Sequence, residues 1–334
     1  LKDDKLKIYV GWDSREDIAY TACNQSIIDT ASVDVDIIPL KQKTLRNDEL
    51  YWREKDKLAS TEFTFTRFLV PELTNFRGWA VFMDCDMILT TDIAELFAQA
   101  HIPGAVLVTP QELVCGIPPA SGKLPALADL ETLFTRIGYQ PDCKIIAFDD
   151  EGGGWAGRFL WTLDIIGHYN WAYLDGGLHA WHGAGMELAK GPCSAMGTGA
   201  ANVTIDTAPI AEIPDVMAAL KDSQQLIWDV RSKEEYLGLR SGSQRAGHIP
   251  GAVNLDWELL KDPQKQTRLR ADMTEVLQDL GISGAGQVIT HCQTHHRSGL
   301  SYLVGRLHGL HIRAYHGSWS EWGNQPDTPI ELDQ

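Results

Sequence analysis

One cysteine stands apart from the other five. The apolar run QVITH leads straight into Cys292-Gln293-Thr294-His295-His296-Arg297-Ser298, and a helical pattern begins at Gly299. A cysteine at such a junction lies in a loop whose backbone N–H groups converge, with the positive end of the following helix aimed at it. Both features favour thiolate, the form that attacks, and would also hold an anionic persulfide or a bound sulfonate or carboxylate. Arg297 and two histidines add local positive charge. The Cys-to-Arg spacing is C-x4-R, one residue shorter than the C-x5-R loop that cradles phosphate, and a tighter ring suits a single sulfur atom. Cys23, Cys85, Cys115, Cys143 and Cys193 are scattered without a CxxC pair, which points away from zinc or a dithiol switch and towards plain reduced residues. Gly152–Gly154 is followed by neither GKS nor GKT, so a phosphate-binding P-loop is not expected there.

The elements that must position this loop come as a repeat. HIPGA at His101–Ala105 recurs at His248–Ala252, KIIAFDDEGGGWAGRFLWTLDIIG is answered by QVITHCQTHHRSGLSYLVGRLHG, and LDGGLHAWHGAG by YHGSWSEWGNQP. Three matched segments in one order make a tandem duplication of a strand-and-helix unit. Ala189–Asp206, rich in Gly, Ala, Ser and Thr, suits a connection between the copies. Ahead of them, KIYVGWD reads as a strand and turn followed by a helix through Ile27, Trp79–Met83 as a second strand, and Asp92–Ala100 has helical spacing. The whole is an α/β chain.

With 334 residues, 44% of them hydrophobic, the chain can bury two or three cores. A formal net charge of −16 lacks the basic footprint that nucleic acid or an anionic membrane would need, so neither partner is expected. No apolar run reaches membrane-span length, and LKDDKLKIYVGWD has no secretory apolar core, which leads to an expected cytoplasmic location.

From about His101 to the end the chain resembles the two-domain rhodanese family of sulfurtransferases, through both HIPGA segments, WDVR at Trp228–Arg231, THCQTHHRSG, DGGLHAW and GSWSEW. The resemblance implies tandem rhodanese-like domains, each a parallel sheet flanked by helices: a silent and incomplete copy over 98–188, with Asp149 opposite Cys292, and a catalytic copy over 207–330. It also implies double displacement: Cys292 takes sulfane sulfur from a small donor such as thiosulfate, and a thiol or cyanide removes it, with no tightly bound cofactor and no metal. The backbone amides of 293–297 would hold the persulfide. Gln293, Thr294, His295, His296, Arg297, Asp229 and Arg231 are the substrate-binding candidates, Asp229 and Arg231 weighted towards holding the loop by buried hydrogen bonds. One departure is plain: Glu235 stands where the thiosulfate and mercaptopyruvate enzymes carry an Arg, which leaves the donor open.

Residues 1–97 resemble the front of a GT-A glycosyltransferase, through IYVGWD at Ile8–Asp13, STEFTFTRFLVP at Ser60–Pro71 and FMDCDMILTTDIAELF at Phe82–Phe97. That resemblance implies a truncated α/β segment in which the D-x-D pair Asp84 and Asp86 would bind a divalent metal on a nucleotide sugar. The remainder of such a site is missing, because the chain turns at once into the repeat. Phe82–Leu89 is expected to serve two sheets, its own and that of the first copy. The readings that compete with sulfur transfer are metal-dependent glycosyl transfer at Asp84 and Asp86, and a non-catalytic module that docks a sulfur carrier.

Overall fold

The computed structural model describes residues 6–31, 34–53, 61–74, 80–90, 100–190 and 199–332. The chain divides into two compact units, one of Leu1–Ala100 with Lys190–Pro192, the other of His101–Ala189 with Cys193–Gln334.

The first unit holds a three-stranded parallel sheet of order β2-β1-β3, formed by β1 (Leu6–Gly11), β2 (Val35–Leu40) and β3 (Ala80–Met83), with α1 (Asp17–Thr30) following β1. Alternation along β1 sends Ile8 and Val10 to one face with Cys23 and Ile27 of α1, and Tyr9 to the other with Leu40. Phe82–Leu89 was expected to serve a second sheet, but among the described residues its strand pairs only with β1. The strand ends at Met83 and pairs in register with β1, because Met83 and Cys85 find their burial among Ile8, Val10, Cys23 and Ile27. The helix expected from Asp92 falls on residues 91–99, outside the described ones.

In the second unit the repeat is visible element by element. The first copy contributes α2 (Leu127–Arg136), β4 (Ile145–Ala147), α3 (Gly154–Ile165), β5 (Trp171–Tyr173) and α4 (Gly177–Gly183). The second contributes β6 (Ile210–Ala211), α5 (Ile213–Ala219), β7 (Gln225–Asp229), α6 (Lys233–Tyr236), β8 (Val253–Asn254), α7 (Met273–Asp279), β9 (Gln287–His291), α8 (Arg297–Leu307), β10 (Ile312–Tyr315) and α9 (Ser318–Trp322). The second copy's sheet is five-stranded and parallel throughout, in the order β8-β7-β9-β10-β6. Among the described residues the first copy's sheet keeps two strands, β4 and β5.

Helices α3 and α8 join the copies. Every residue of α3 except Trp155 is buried, as expected of a helix that is apolar on nearly all sides, and α8 buries Ser298–Gly305. They touch backbone to backbone: a Cβ on Gly157 would lie 2.2 Å from the Gly299 carbonyl oxygen, and one on Gly299 would lie 2.4 Å from that of Gly154. The two copies therefore share one core, which runs from Leu130 and Trp161 to Trp228, Cys292 and Leu303.

Candidate active site

Strand β9 lies third of five in its sheet and delivers Cys292 to the sheet's C-terminal edge, where α8 starts at Arg297. Such an edge is where parallel sheets hold ligands. The helix begins two residues earlier than the sequence pattern indicates. Between strand and helix the chain turns through His295 at φ +57°, a left-handed conformation that costs a side-chain-bearing residue about 1 kcal/mol or more and persists only where its surroundings enforce it.

The turn folds the loop around the sulfur. Ser298 donates its hydroxyl to Cys292 Sγ at 3.5 Å, and the N–H groups of Thr294 and Ser298 add to it. The start of α9 fixes the loop from behind: Ser318 Oγ accepts the Cys292 N–H at 3.4 Å, while the Trp319 and Ser320 N–H groups each donate at 2.9 Å to the carbonyls of Cys292 and Gln293. Burial pushes the Cys292 thiol up, but the charge of Arg297 and these donors outweigh it, and the thiol sits below its ordinary value. Cys292 itself is 1% exposed.

Arg297 is clamped. Its Nη1 and Nη2 reach Glu235 Oε2 at 2.6 Å and Oε1 at 2.9 Å, the bidentate geometry that suits guanidinium and carboxylate. Glu235 is held in place by a capping box with Ser232 at the start of α6. Burial disfavours its charge, yet the hydrogen bonds and charge of Arg297 prevail and bring Glu235 to about 2. Asp229 and Arg231 lie beneath the loop, both fully buried. Arg231 Nε reaches Asp229 Oδ1 at 3.0 Å and its Nη2 the Gly247 carbonyl at 2.9 Å, while its guanidinium covers the Trp319 ring at 4.2 Å.

The remaining loop residues divide between surface and interior. Gln293, Thr294 and His296 are partly exposed; Gln293 Nε2 donates to Ser243 Oγ at 3.2 Å. His296 stacks on Trp155 with centroids 4.5 Å apart, faces Trp257 at 5.6 Å, and hydrogen-bonds Glu151 of the first copy. His295 is fully buried, its Nδ1 2.7 Å from Ser298 Oγ and its ring edge-on to Trp161 at 4.5 Å. Burial, then the nearby charge of Arg158, holds it well below the ordinary histidine range, so it is neutral. The loop thus brings Cys292, His295, Arg297 and Ser298 together, with Gln293, Thr294 and His296 at its rim and Asp229 and Arg231 below. Ser298, Glu235 as the clamp of Arg297, and Glu151 were not among the residues singled out from the sequence. Ser298 was legible from its place in the motif, whereas the two glutamates meet the loop only through tertiary folding.

The first copy shows what this loop geometry accepts. Its helix α3 starts five residues after Asp149, as α8 does after Cys292, and Gly152, at φ +91°, takes the turn that His295 takes. Asp149 Oδ1 receives the N–H groups of Gly153 at 2.8 Å, Gly152 at 3.1 Å and Glu151 at 3.3 Å, and Oδ2 that of Ala156 at 2.9 Å. Leu178 N–H bonds the Asp149 carbonyl at 3.0 Å, as Trp319 does that of Cys292 at 2.9 Å. The loop is a cradle for an anion, filled by a carboxylate in one copy and offered to sulfur in the other.

In the first unit Asp84 follows β3, is partly exposed and lies 3.5 Å from Arg67, while Asp86 is exposed. Among the described residues no group of three or more His, Cys, Asp or Glu side chains is placed to hold a metal. No described helix is long and apolar enough to cross a membrane.

A family model described as Rhodanese-like domain matches the chain twice, over residues 76–184 and 213–325. The first match takes in β3. A thiosulfate sulfurtransferase of Pseudomonas aeruginosa is 47% identical over 240 residues, which cover 72% of this chain and 88% of that protein. One of Azotobacter vinelandii is 43% identical over 240 residues with the same coverage. Among solved structures, the anaerobic ergothioneine biosynthesis enzyme of Chlorobium limicola, in complex with trimethyl histidine, shares the fold at a TM-score of 0.64 and 18% identity, across 100% of this chain and 97% of that one.

Proposed function

Because the chain belongs to the rhodanese family, which its sequence matches twice, we propose that it is a sulfurtransferase that carries sulfane sulfur on Cys292. The thiolate attacks the outer sulfur of a donor such as thiosulfate. The new S–S bond forms as the donor's own S–S bond breaks, and sulfite leaves with that electron pair. A cyanide or thiolate acceptor then attacks the terminal sulfur of the persulfide, and Cys292 departs as thiolate. Both intermediates on the enzyme are anions, and the reaction draws only on the thiolate and its two substrates.

The observation that carries this reading is the cradle itself: the site that collects four N–H groups around Asp149 in the first copy surrounds a thiol in the second. In this reading the amides of residues 293–297 hold the persulfide, Arg297 and Ser298 keep the thiolate charged, and Gln293, Thr294 and His296 meet the donor at the rim. His295 shapes the loop from inside, and Asp229 and Arg231 serve as its floor. The domain limits follow the repeat: 1–97 as the glycosyltransferase-like fragment, 98–188 as the silent copy, 207–330 as the catalytic one. We place the reaction in the cytoplasm, since Cys23, Cys85, Cys115, Cys143 and Cys292 are all free and a reducing compartment keeps them so.

The test is mass spectrometry of the Cys292 peptide after exposure to thiosulfate. A persulfide that cyanide removes is expected; an unmodified Cys292 in folded protein would count against sulfur transfer.

A further inference from the structure

His295 stands where the loop demands a left-handed residue, at φ +57°, and the first copy meets the same demand with Gly152 at φ +91°. Glycine adopts this conformation without penalty, whereas a residue with a side chain persists there only where its surroundings enforce it. The second copy therefore keeps a strained histidine at a place where glycine would do. What the histidine adds is its imidazole.

That imidazole ends beside the hydroxyl that serves the sulfur. Nδ1 lies 2.7 Å from Ser298 Oγ, and Ser298 Oγ lies 3.5 Å from Cys292 Sγ. His295 and Ser298 are both fully buried, and the ring is held edge-on to Trp161 of α3, whose Nε1 donates to the Pro209 carbonyl at 3.0 Å. A serine hydroxyl has a single hydrogen, so it points either at Nδ1 or at the sulfur. The proton of the imidazole decides which. The ring is neutral and carries one proton, on Nδ1 or on Nε2. Nε2 is buried and has no hydrogen-bond partner among the described residues. Protonated there, the ring would leave a buried N–H donor orphaned and turn the serine hydrogen away from Cys292; protonated at Nδ1, it meets an oxygen at hydrogen-bond distance. The negative charge of the thiolate draws the serine hydrogen the same way. The charged and titratable groups that face the ring are Arg158 of α3, His316 after β10 and His296 next in the loop, and those at the sulfur are Arg297 with its partner Glu235. Among the described residues the hydrogen-bond partners of Ser298 Oγ are His295 and Cys292, so the orientation of the hydroxyl rests on His295.

We propose that His295 is a positioning residue for sulfur transfer: its Nδ1–H donates to Ser298 Oγ and thereby turns the serine hydroxyl hydrogen onto Cys292 Sγ. The proposal rests on Cys292 as the nucleophile and gives His295 a role beyond shaping the turn. No proton changes hands. The fixed hydroxyl favours the thiolate before it attacks the donor, and favours it again when Cys292 departs from the persulfide.

The experiment is the pH dependence of Cys292 alkylation by iodoacetamide, an uncharged reagent, followed on the Cys292 peptide in the full chain. His295→Gly removes the imidazole while relieving the backbone, and should raise the pH midpoint by about one unit, the scale of losing one hydrogen bond to a charged group. His295→Asn keeps an N–H near the place of Nδ1 and tolerates the left-handed conformation, so it should restore most of the midpoint. In a Ser298→Ala background His295→Gly should cause no further shift, because the histidine acts only through that hydroxyl. A folded His295→Gly protein with the wild-type midpoint, or with the same shift whether or not Ser298 is present, would overturn the proposal. If His295→Gly does not fold, nitrogen NMR of the wild-type chain labelled at histidine decides: His295 is expected as the Nδ1–H tautomer, and an Nε2–H tautomer would refute the proposal. Alkylation needs no turnover, so its result stands whether or not the chain transfers sulfur.

Discussion

The sulfur of Cys292 sits where three stabilising influences of different origin meet: the charge of a guanidinium, a hydroxyl donor and converging amides. Because its pKa is lowered, the rate of persulfide formation should rise with pH and level off before the pH at which an ordinary thiol ionises, near 8.5. Ser298→Ala removes one donor to the thiolate. The plateau should then move to higher pH and kcat/KM at neutral pH fall by about ten- to a hundredfold, since a hydrogen bond to a charged group contributes about 1.5–3 kcal/mol; a pH–rate profile checks both. Glu235→Gln releases Arg297 towards the mouth of the site. KM for dianionic thiosulfate should fall more than KM for monoanionic 3-mercaptopyruvate, which paired steady-state kinetics would show. Cys292 was legible in the sequence because its neighbours and spacing are local. The Glu235 clamp was not, because 62 residues separate it from Arg297, and only the parallel pairing of β7 with β9 brings the two segments together.

Helices α3 and α8 lie closer than side chains would permit, and glycine at the crossing makes this possible. Gly157→Ala should therefore destabilise the protein by about 2 kcal/mol, the cost of forcing a methyl group against a fixed backbone oxygen, despite alanine's higher helix propensity. Gly284→Ala is the matched control, because nothing lies within 4 Å of its added Cβ, and it should change stability by no more than about 0.5 kcal/mol. Urea unfolding of the two variants measures the difference. The strand-loop-helix units at 145–165 and 287–307 were recognisable from their repeated pattern. The fate of Phe82–Leu89 was not, because an apolar strand carries no mark of which sheet will take it. The local core of Ile8, Val10, Cys23 and Ile27 decided the matter.

At the scale of the molecule, one copy's loop opens on a carboxylate and the other's on a thiol, while the core between them is continuous. Charge placed in that second unit also governs its acid stability. Glu235 and Glu212 are both held at about 2, below an ordinary glutamate near about 4.3. A lowered carboxylate contributes stability that is complete above its ordinary value and is lost as pH falls towards the folded value. Unfolding free energy should therefore drop between about pH 4.5 and 2, with Glu235 accounting for at most about 3 kcal/mol and the more exposed Glu212 for less. Glu235→Gln should flatten the slope of urea stability against pH in that window. The duplication and the net charge of −16 were plain in the sequence, but the sharing of one core by both copies required the α3–α8 crossing to be seen. The most direct test of sulfur transfer through Cys292 is thiocyanate formation from cyanide with thiosulfate, and in parallel with 3-mercaptopyruvate, in the intact chain and in Cys292→Ser. Turnover with at least one donor that vanishes in the variant is the predicted result. Turnover that survives the substitution, or a folded intact chain with neither turnover nor a persulfide on Cys292, would contradict it.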